Sequence, residues 1–386
     1  MKIDININDK RLVLNKRKFS KIFSILLILA IIVTACIFPQ WYVTQFKKVG
    51  GVYLVWRGDR ALRKYKFQKA IDYYNRGLTL YPGHYSAWFN LGNIYVLYED
   101  YYSALDAYEN AIKHNPNYVI AKMNYGIVSA EQVGDFDGAI TQYKEILDIR
   151  KKWLVYIPFV FNNMKSYKVN MGLAYYNMGV AYRQKAIYQD TARLHQMEYL
   201  SNAIAAYKEA IKIIPESYDA HYNLGLAYHL FGDYNNAGLH YCKAVELAPL
   251  NYDAHYNLAL LLKFLKYYRE SIVEMQKATL LLTENEGASN RQRYVFDVLN
   301  DISRRYMETK DVLYPIVEEV TYDKDGKPIE NTSQDNIFDS PVTYVGGHLV
   351  MSDEFDKAMM KNFGTCSAKK FFTEDVEYDN EKFIHK

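Results

Sequence analysis

The sequence lacks most of the features that announce a chemistry. Its three cysteines, Cys36, Cys242 and Cys366, show neither metal-ligand spacing nor an even disulfide framework, so they assign no redox compartment. It lacks a charge bias: 47 Lys and Arg against 44 Asp and Glu leave a net +3, which gives no reason to expect nucleic acid as the main partner. No phosphate-binding loop, dinucleotide fingerprint, nucleophile elbow, metalloprotease helix or catalytic triad can be placed, so a catalytic reading has no residues to stand on. Clusters of Cys or His at ligand spacing are also missing, and neither a metal, a cofactor nor a small-molecule substrate is expected. Hydrophobic residues are not scarce; they make up 50% of the chain, and burial is not limiting.

One long apolar run exists. From Ile22 to Phe38 there is no charge, and only Ser24 and Thr34 are polar, near the lower limit for a helix crossing a ~30 Å hydrocarbon layer. Lys16, Arg17, Lys18 and Lys21 precede it and Trp41 and Tyr42 follow it. The pattern predicts a basic tail over 1–21 and a single-pass transmembrane anchor over 22–43, with the N-terminus cytoplasmic and the rest outside the inner membrane of a bacterium. The alternative is a lipoprotein signal: "VTAC" ends at Cys36, which would become the lipidated first residue.

What the chain does have is a period. "YDAHYNL" occurs at 218–224 and again, letter for letter, at 252–258. On that frame a small residue, a second small residue twelve on and an aromatic four beyond recur: Gly58, Ala70, Tyr74; Gly92, Ala104, Tyr108; Gly225, Ala237, Tyr241; and, more loosely, Ala259, Ser271, Met275. Pro82, Pro116, Pro215 and Pro249 then end the second helix of each unit, because proline has no N–H for a helix interior. Small residues at facing places let two antiparallel helices approach closely. "WFNLGNIY…A…Y…A…P" and "HYNLGLAY…A…Y…A…P" closely resemble the tetratricopeptide repeat. The resemblance implies an all-α fold, a right-handed superhelix of about six helix-turn-helix units over 51–283 with a concave inner surface. The third unit has one extra residue between Gly126 and Ala139; the fourth is twelve residues too long between Gly179 and Ala203, with Gly172 and Gly179 competing for its register. Insertions are thus expected near 150–168 and 187–200. A capping helix is predicted over 289–310, with Tyr294, Val298, Ile302 and Tyr306 as its apolar stripe. A hairpin around Asp325 and Gly326 and a weakly structured tail over 311–386, exposing Cys366, complete the expectation.

Candidate function concentrates two residues before each first-helix glycine or alanine. That place holds Asn90, Asn124, Asn177, Asn223 and Asn257, with Trp56 in the first unit, although asparagine makes up only 27 of 386 residues. The row resembles the asparagine ladder in the repeat domain of O-linked N-acetylglucosamine transferase, which implies backbone-directed binding of an extended polypeptide, since an amide both donates and accepts. The competing reading is bonding within or between repeats. Phe89, Met123, Tyr176, Tyr222 and Tyr256 stand beside the row and would supply apolar area to the same groove. The carboxylate clamp of chaperone-binding members is not matched, because Asn stands where it needs Arg. His221 and His255 take the place of Trp88 and Tyr175 and read as packing aromatics, not zinc ligands. "WLVYIPFVF", 153–161, either packs into the enlarged middle or forms a sticky loop. The function expected is a non-enzymatic, membrane-anchored scaffold for a protein or peptide partner; alternatives are a lipoprotein assisting assembly of envelope machinery, or a recruiting subunit of a separate enzyme.

Overall fold

The computed structural model describes residues 2–7, 10–153, 161–189, 192–282, 288–313, 343–345, 348–350 and 363–372. It divides into two compact units, Met1–Val133 and Gly134–Lys386.

The first unit opens with a ribbon, β1 (Lys2–Ile7) antiparallel to β2 (Lys10–Asn15), where a bare basic tail was expected. Helix α1 (Lys16–Ile37) follows directly, and α2 spans Pro39–Leu62. The predicted anchor over 22–43 is therefore not one helix. Pro39 has no N–H to continue α1 and instead opens α2 at its first turn, where that absence costs nothing. The apolar part of α1 then falls short of the ~20 residues a span needs. Among the described residues no helix is long and apolar enough to cross a membrane. Phe23, Ile25, Leu26 and Leu29 of α1 are nonetheless all more than half exposed.

Helical hairpins follow: α2 with α3 (Phe67–Leu80), then α4 (Tyr85–Leu97) with α5 (Tyr101–His114), then α6 (Val119–Val128). Val55, Tyr74, Leu78, Leu91 and Ile94 form the core of the first two pairs. A π-helical turn, Ser129–Val133, continues α6. It absorbs the extra residue of the third repeat, because a π-turn holds one residue more than an α-turn.

The second unit holds α7 (Phe136–Trp153), α8 (Phe161–Tyr188), α9 (Arg193–Ile213), α10 (Tyr218–Phe231), α11 (Tyr234–Leu247), α12 (Tyr252–Phe264), α13 (Tyr268–Leu281) and α14 (Ala288–Leu313). Both helices of the fourth pair carry the surplus length: α8 has 28 residues and α9 has 21, against 14 in α10. Its register is settled by Gly179. A Cβ there would come 2.7 Å from the Tyr207 ring, as one on Gly58, Gly92 or Gly225 would meet Tyr74, Tyr108 or Tyr241 at 2.6–2.7 Å. Gly172 instead lies against Ile214. Where Ala259 replaces the glycine, the flexible Met275 replaces the ring, and both are buried. Helices α2, α4, α10 and α12 share one ending, in which the N–H after a left-handed residue returns to a carbonyl five residues back: Lys66 to Ala61, Asp100 to Tyr95, Asp233 to Tyr228 and Tyr267 to Leu262. Gly232 takes that conformation without strain (φ 94°), whereas Tyr65, Glu99 and Lys266 adopt it with side chains.

Helix α14 covers the last pair through Val295, Leu299 and Ile302, packed on Ala259, Ile272 and Met275. Its buried stripe is rotated from the expected one: Tyr294 is 59% exposed. The C-terminal stretch expected to be weakly structured contains a docked segment, 363–372, ending in a 3-10 turn at Lys369–Phe371. A small ribbon pairs β3 (Thr343–Val345) with β4 (His348–Val350). The apolar loop at 154–160 and the hairpin expected at Asp325–Gly326 lie outside the described residues.

Candidate inner-face site

The recurrent asparagines fall on the first helix of each pair, as the period requires, and the structure shows two ways of using one amide. In the first unit Asn90 Nδ2 donates to Asp59 Oδ1 (3.2 Å) and to the Tyr74 hydroxyl (3.3 Å), and Asn124 Nδ2 donates to Asn93 Oδ1 (3.0 Å). Tyr74 and Tyr108 donate to the same acceptors, each at 2.7 Å. In the second unit Asn223 Nδ2 reaches the Tyr176 hydroxyl (3.1 Å) and Asn257 Nδ2 the Tyr222 hydroxyl (2.8 Å), while each also bonds the carbonyl four residues back, Asp219 or Asp253.

The sequence explains the switch. Three residues before the glycine, the first unit has Val55 and Phe89, which offer no hydroxyl, and the residue after the glycine, Asp59 or Asn93, serves instead. In the second unit Tyr176 and Tyr222 supply the hydroxyl, and Val180 and Leu226 leave the other place apolar. Both readings of the row thus meet in one geometry: the donors bridge adjacent repeats, and among the described residues the Oδ1 atoms of Asn90, Asn124 and Asn257 accept no bond. Asn223 differs. It is only 9% exposed, and its Oδ1 takes a bond from Arg183 Nη2 at 3.3 Å. Asn177 is partly buried at the same register of α8.

The aromatic neighbours are half-buried. Phe89 packs on Tyr108 and Tyr118 (centroids 5.9 and 5.3 Å); Tyr222 stacks on Tyr218 and Tyr256 on Tyr252, at 5.6 and 5.4 Å. Burial pushes the Tyr222 phenol up to about 12, helped by the nearby Asp253 charge, so it remains a neutral hydroxyl. Met123 is covered at 9% exposure.

The histidines are more than packing aromatics. His221 Nε2 lies 3.1 Å from the Pro215 carbonyl and His255 Nε2 lies 2.8 Å from that of Pro249; Trp88 Nε1 donates to Pro82 at 2.8 Å. A ring nitrogen six residues after three of the four repeat-ending prolines, Pro82, Pro215 and Pro249, satisfies the carbonyl that the helix leaves open, whereas Lys122 stands at that place after Pro116. That spacing was present in the sequence and is the signal that would have found the role. On the other side, His255 Nδ1 contacts Glu274 Oε2 at 2.6 Å, and Glu274, fully buried, also meets Lys277 Nζ at 3.3 Å and the Ser367 N–H at 3.0 Å. Burial alone would raise the Glu274 carboxyl, but the His255 bond and the Lys277 charge outweigh it and hold it below the usual range.

Ser367 belongs to the docked segment. Cys366 is joined to Cys242 of α11 by a disulfide spanning 124 residues, Lys277 Nζ donates to the Thr365 carbonyl (2.8 Å), Phe371 stacks on Tyr267 (4.2 Å), and the Phe372 ring occupies the space above Gly238. Cys366 is therefore buried, not exposed; Cys36, in α1, is a free and exposed cysteine. Among the described residues no group of three His, Cys, Asp or Glu side chains could hold a metal.

Paired antiparallel helices of fixed period, with registered amides on their first members, define a helical-hairpin repeat protein. Tetratricopeptide repeats are recognised in part of it: models of the tetratricopeptide repeat match residues 57–97, 85–118, 218–249 and 252–281, and a TPR repeat model matches 193–230. A tetratricopeptide repeat-containing protein of Caenorhabditis elegans, trd-1, is 31% identical over 86 residues, which are 22% of this chain and 11% of the worm protein. Among solved structures, PilW, a widely conserved type IV pilus biogenesis factor, is 14% identical with a TM-score of 0.47, covering 62% of this chain and 97% of PilW. MamA from Desulfovibrio magneticus RS-1 is 19% identical with a TM-score of 0.40, covering 51% and 94%. The repeat fold is one of protein–protein interaction scaffolds.

Proposed function

We propose that the chain is a non-enzymatic scaffold that binds an extended segment of a protein partner along the inner faces of its repeats, held at a membrane by its N-terminal apolar helix. The observation that carries the groove reading is the orientation of the amide row. Because the donors of Asn90 and Asn124 in the first unit, and of Asn257 in the second, are tied to the neighbouring repeat, their carbonyl oxygens are fixed in direction within each unit, ready to accept N–H groups of an extended backbone. Phe89, Tyr176, Tyr222 and Tyr256 supply apolar area beside them. Residues spent on fixing direction lose little entropy on binding, which is how preorganised surfaces gain affinity.

The exposed apolar side chains of α1 support membrane attachment, and the disulfide between Cys242 and Cys366 supports an oxidising, extracytoplasmic setting for the repeats. Lipidation at the exposed Cys36 is the alternative form of attachment.

The groove reading is tested with decapeptides selected from a random library on the full chain. Replacing Asn90, Asn124 and Asn257 together by Ala removes three acceptors at roughly 0.5–1.5 kcal/mol each and is expected to weaken binding at least tenfold. Unchanged affinity would place the binding site elsewhere.

A further inference from the structure

One cation on the inner face of the second unit is not explained by the amide row. Arg183, on α8 four residues after Gly179, donates from Nη2 to Asn223 Oδ1 on α10 at 3.3 Å. Its Nε and the hydroxyl of Tyr207 on α9 are both buried, and Arg183 is the polar neighbour of that hydroxyl. Arg183 is itself partly exposed, and among the described residues no Asp or Glu forms an ion pair with its guanidinium. A half-buried charge that has given up water without gaining a counter-ion is costly to keep, and its cost falls when a carboxylate arrives.

The surroundings favour such an acceptor. The Tyr176 hydroxyl lies in the same network through Asn223, and the Tyr222 hydroxyl is tied separately to Asn257. Burial raises the phenols of Tyr207, Tyr222 and Tyr241, and the Arg183 charge works against that rise at all three, so the guanidinium sits within electrostatic reach of each. The acids on this face, Asp219 and Asp253, are exposed and act on Tyr218 and Tyr222.

We infer that Arg183 is the specificity-determining anchor of the inner face, taking the side-chain carboxylate of an Asp or Glu within the bound extended segment. This rests on the groove reading above. Backbone acceptors on the asparagines fix the segment without regard to sequence, and Arg183 adds one sequence-dependent contact. Its planar fork suits a carboxylate, with Asn223 holding one nitrogen in place.

The probe is a positional-scanning library of N-acetylated, C-amidated decapeptides, which carry no terminal charge, bound to the full chain. The expected result is a preference for Asp or Glu at one position. Arg183→Gln should weaken the best acidic peptide about 10- to 100-fold, leave its Gln analogue within about twofold, and Arg183→Lys should recover part of the loss. Retained binding of the Gln analogue, with unchanged helicity, shows that the variant is folded. An acidic preference that survives Arg183→Gln overturns the assignment, as does binding that demands a free C-terminal carboxylate. Binding with no acidic preference overturns the anchor and leaves the groove reading standing. If no member binds, both fall together.

Discussion

A single side-chain type, asparagine at one place in the repeat, is used in two bonding schemes, and the choice is made by its neighbours. Where Tyr176 or Tyr222 offers a hydroxyl the amide takes it; where Phe89 stands, Asn93 substitutes. The histidines follow the same logic of local supply. His240, held 3.0 Å from His221 and stacked on Tyr228, is pushed down to about 3 by burial, with the His221 and Lys208 charges adding to it. A histidine lowered on folding stays neutral in the folded state and takes up a proton when unfolded, so stability present above pH ~6.5 is lost as pH falls toward 3. Allowing for partial solvent access at this ring, the loss by pH 4.5 should be about 1–2 kcal/mol. Urea melts across pH 7 to 4.5 check this: His240→Gln should flatten the slope in that window, and an unaltered slope would mean that other groups set it. Glu274, lowered below the usual carboxylate range, adds acid lability only below pH ~4.5.

At the scale of elements, what could be read from the sequence was what repeats. Gly58, Gly92 and Gly225 announced their tyrosines because the spacing along the chain is also the contact across the hairpin. The extra residue before Ala139 was countable, and it became a π-turn. Arg183 was not legible, since it occurs once and no period marks it. Nor was the docked segment: Cys242 and Cys366 are 124 residues apart, and nothing near either names the other. The apolar run expected as one helix over 22–43 is divided between two, because hydropathy runs through Pro39 while the hydrogen-bond ladder does not. The docked segment has a measurable weight. Replacing Cys242 and Cys366 by Ser should lower stability by about 2–4 kcal/mol, as for removal of a long-range cross-link, and raise amide exchange at 363–372. The buried Glu274–Lys277 contacts should leave that exchange slower than in a free peptide of the same sequence. Exchange identical to the free peptide would mean that the segment is held by its sulfurs alone.

For the whole molecule, the proposed attachment to a membrane has the largest consequence for where partners can be met. The full chain should float with phospholipid vesicles in a density gradient, and Ile25→Asp with Leu26→Asp and Leu29→Asp should abolish flotation without disturbing peptide binding, because α1 stands outside the repeat pairs. A chain that stays at the bottom of the gradient in both forms would remove the membrane from the proposal.

The cross-link between α11 and the docked segment also decides how the molecule carries load. A scaffold attached at one end as proposed and gripped at the other would be under tension. A pull transmitted through the chain beyond residue 372 enters the second unit at Cys242, in the middle of α11, and not at the end of α14. The covalent loop therefore shields the sixth repeat and its covering helix from being peeled off one helix at a time. While the sulfurs stay joined, the inner face formed by α12 would keep its register under a force that would otherwise unravel it first.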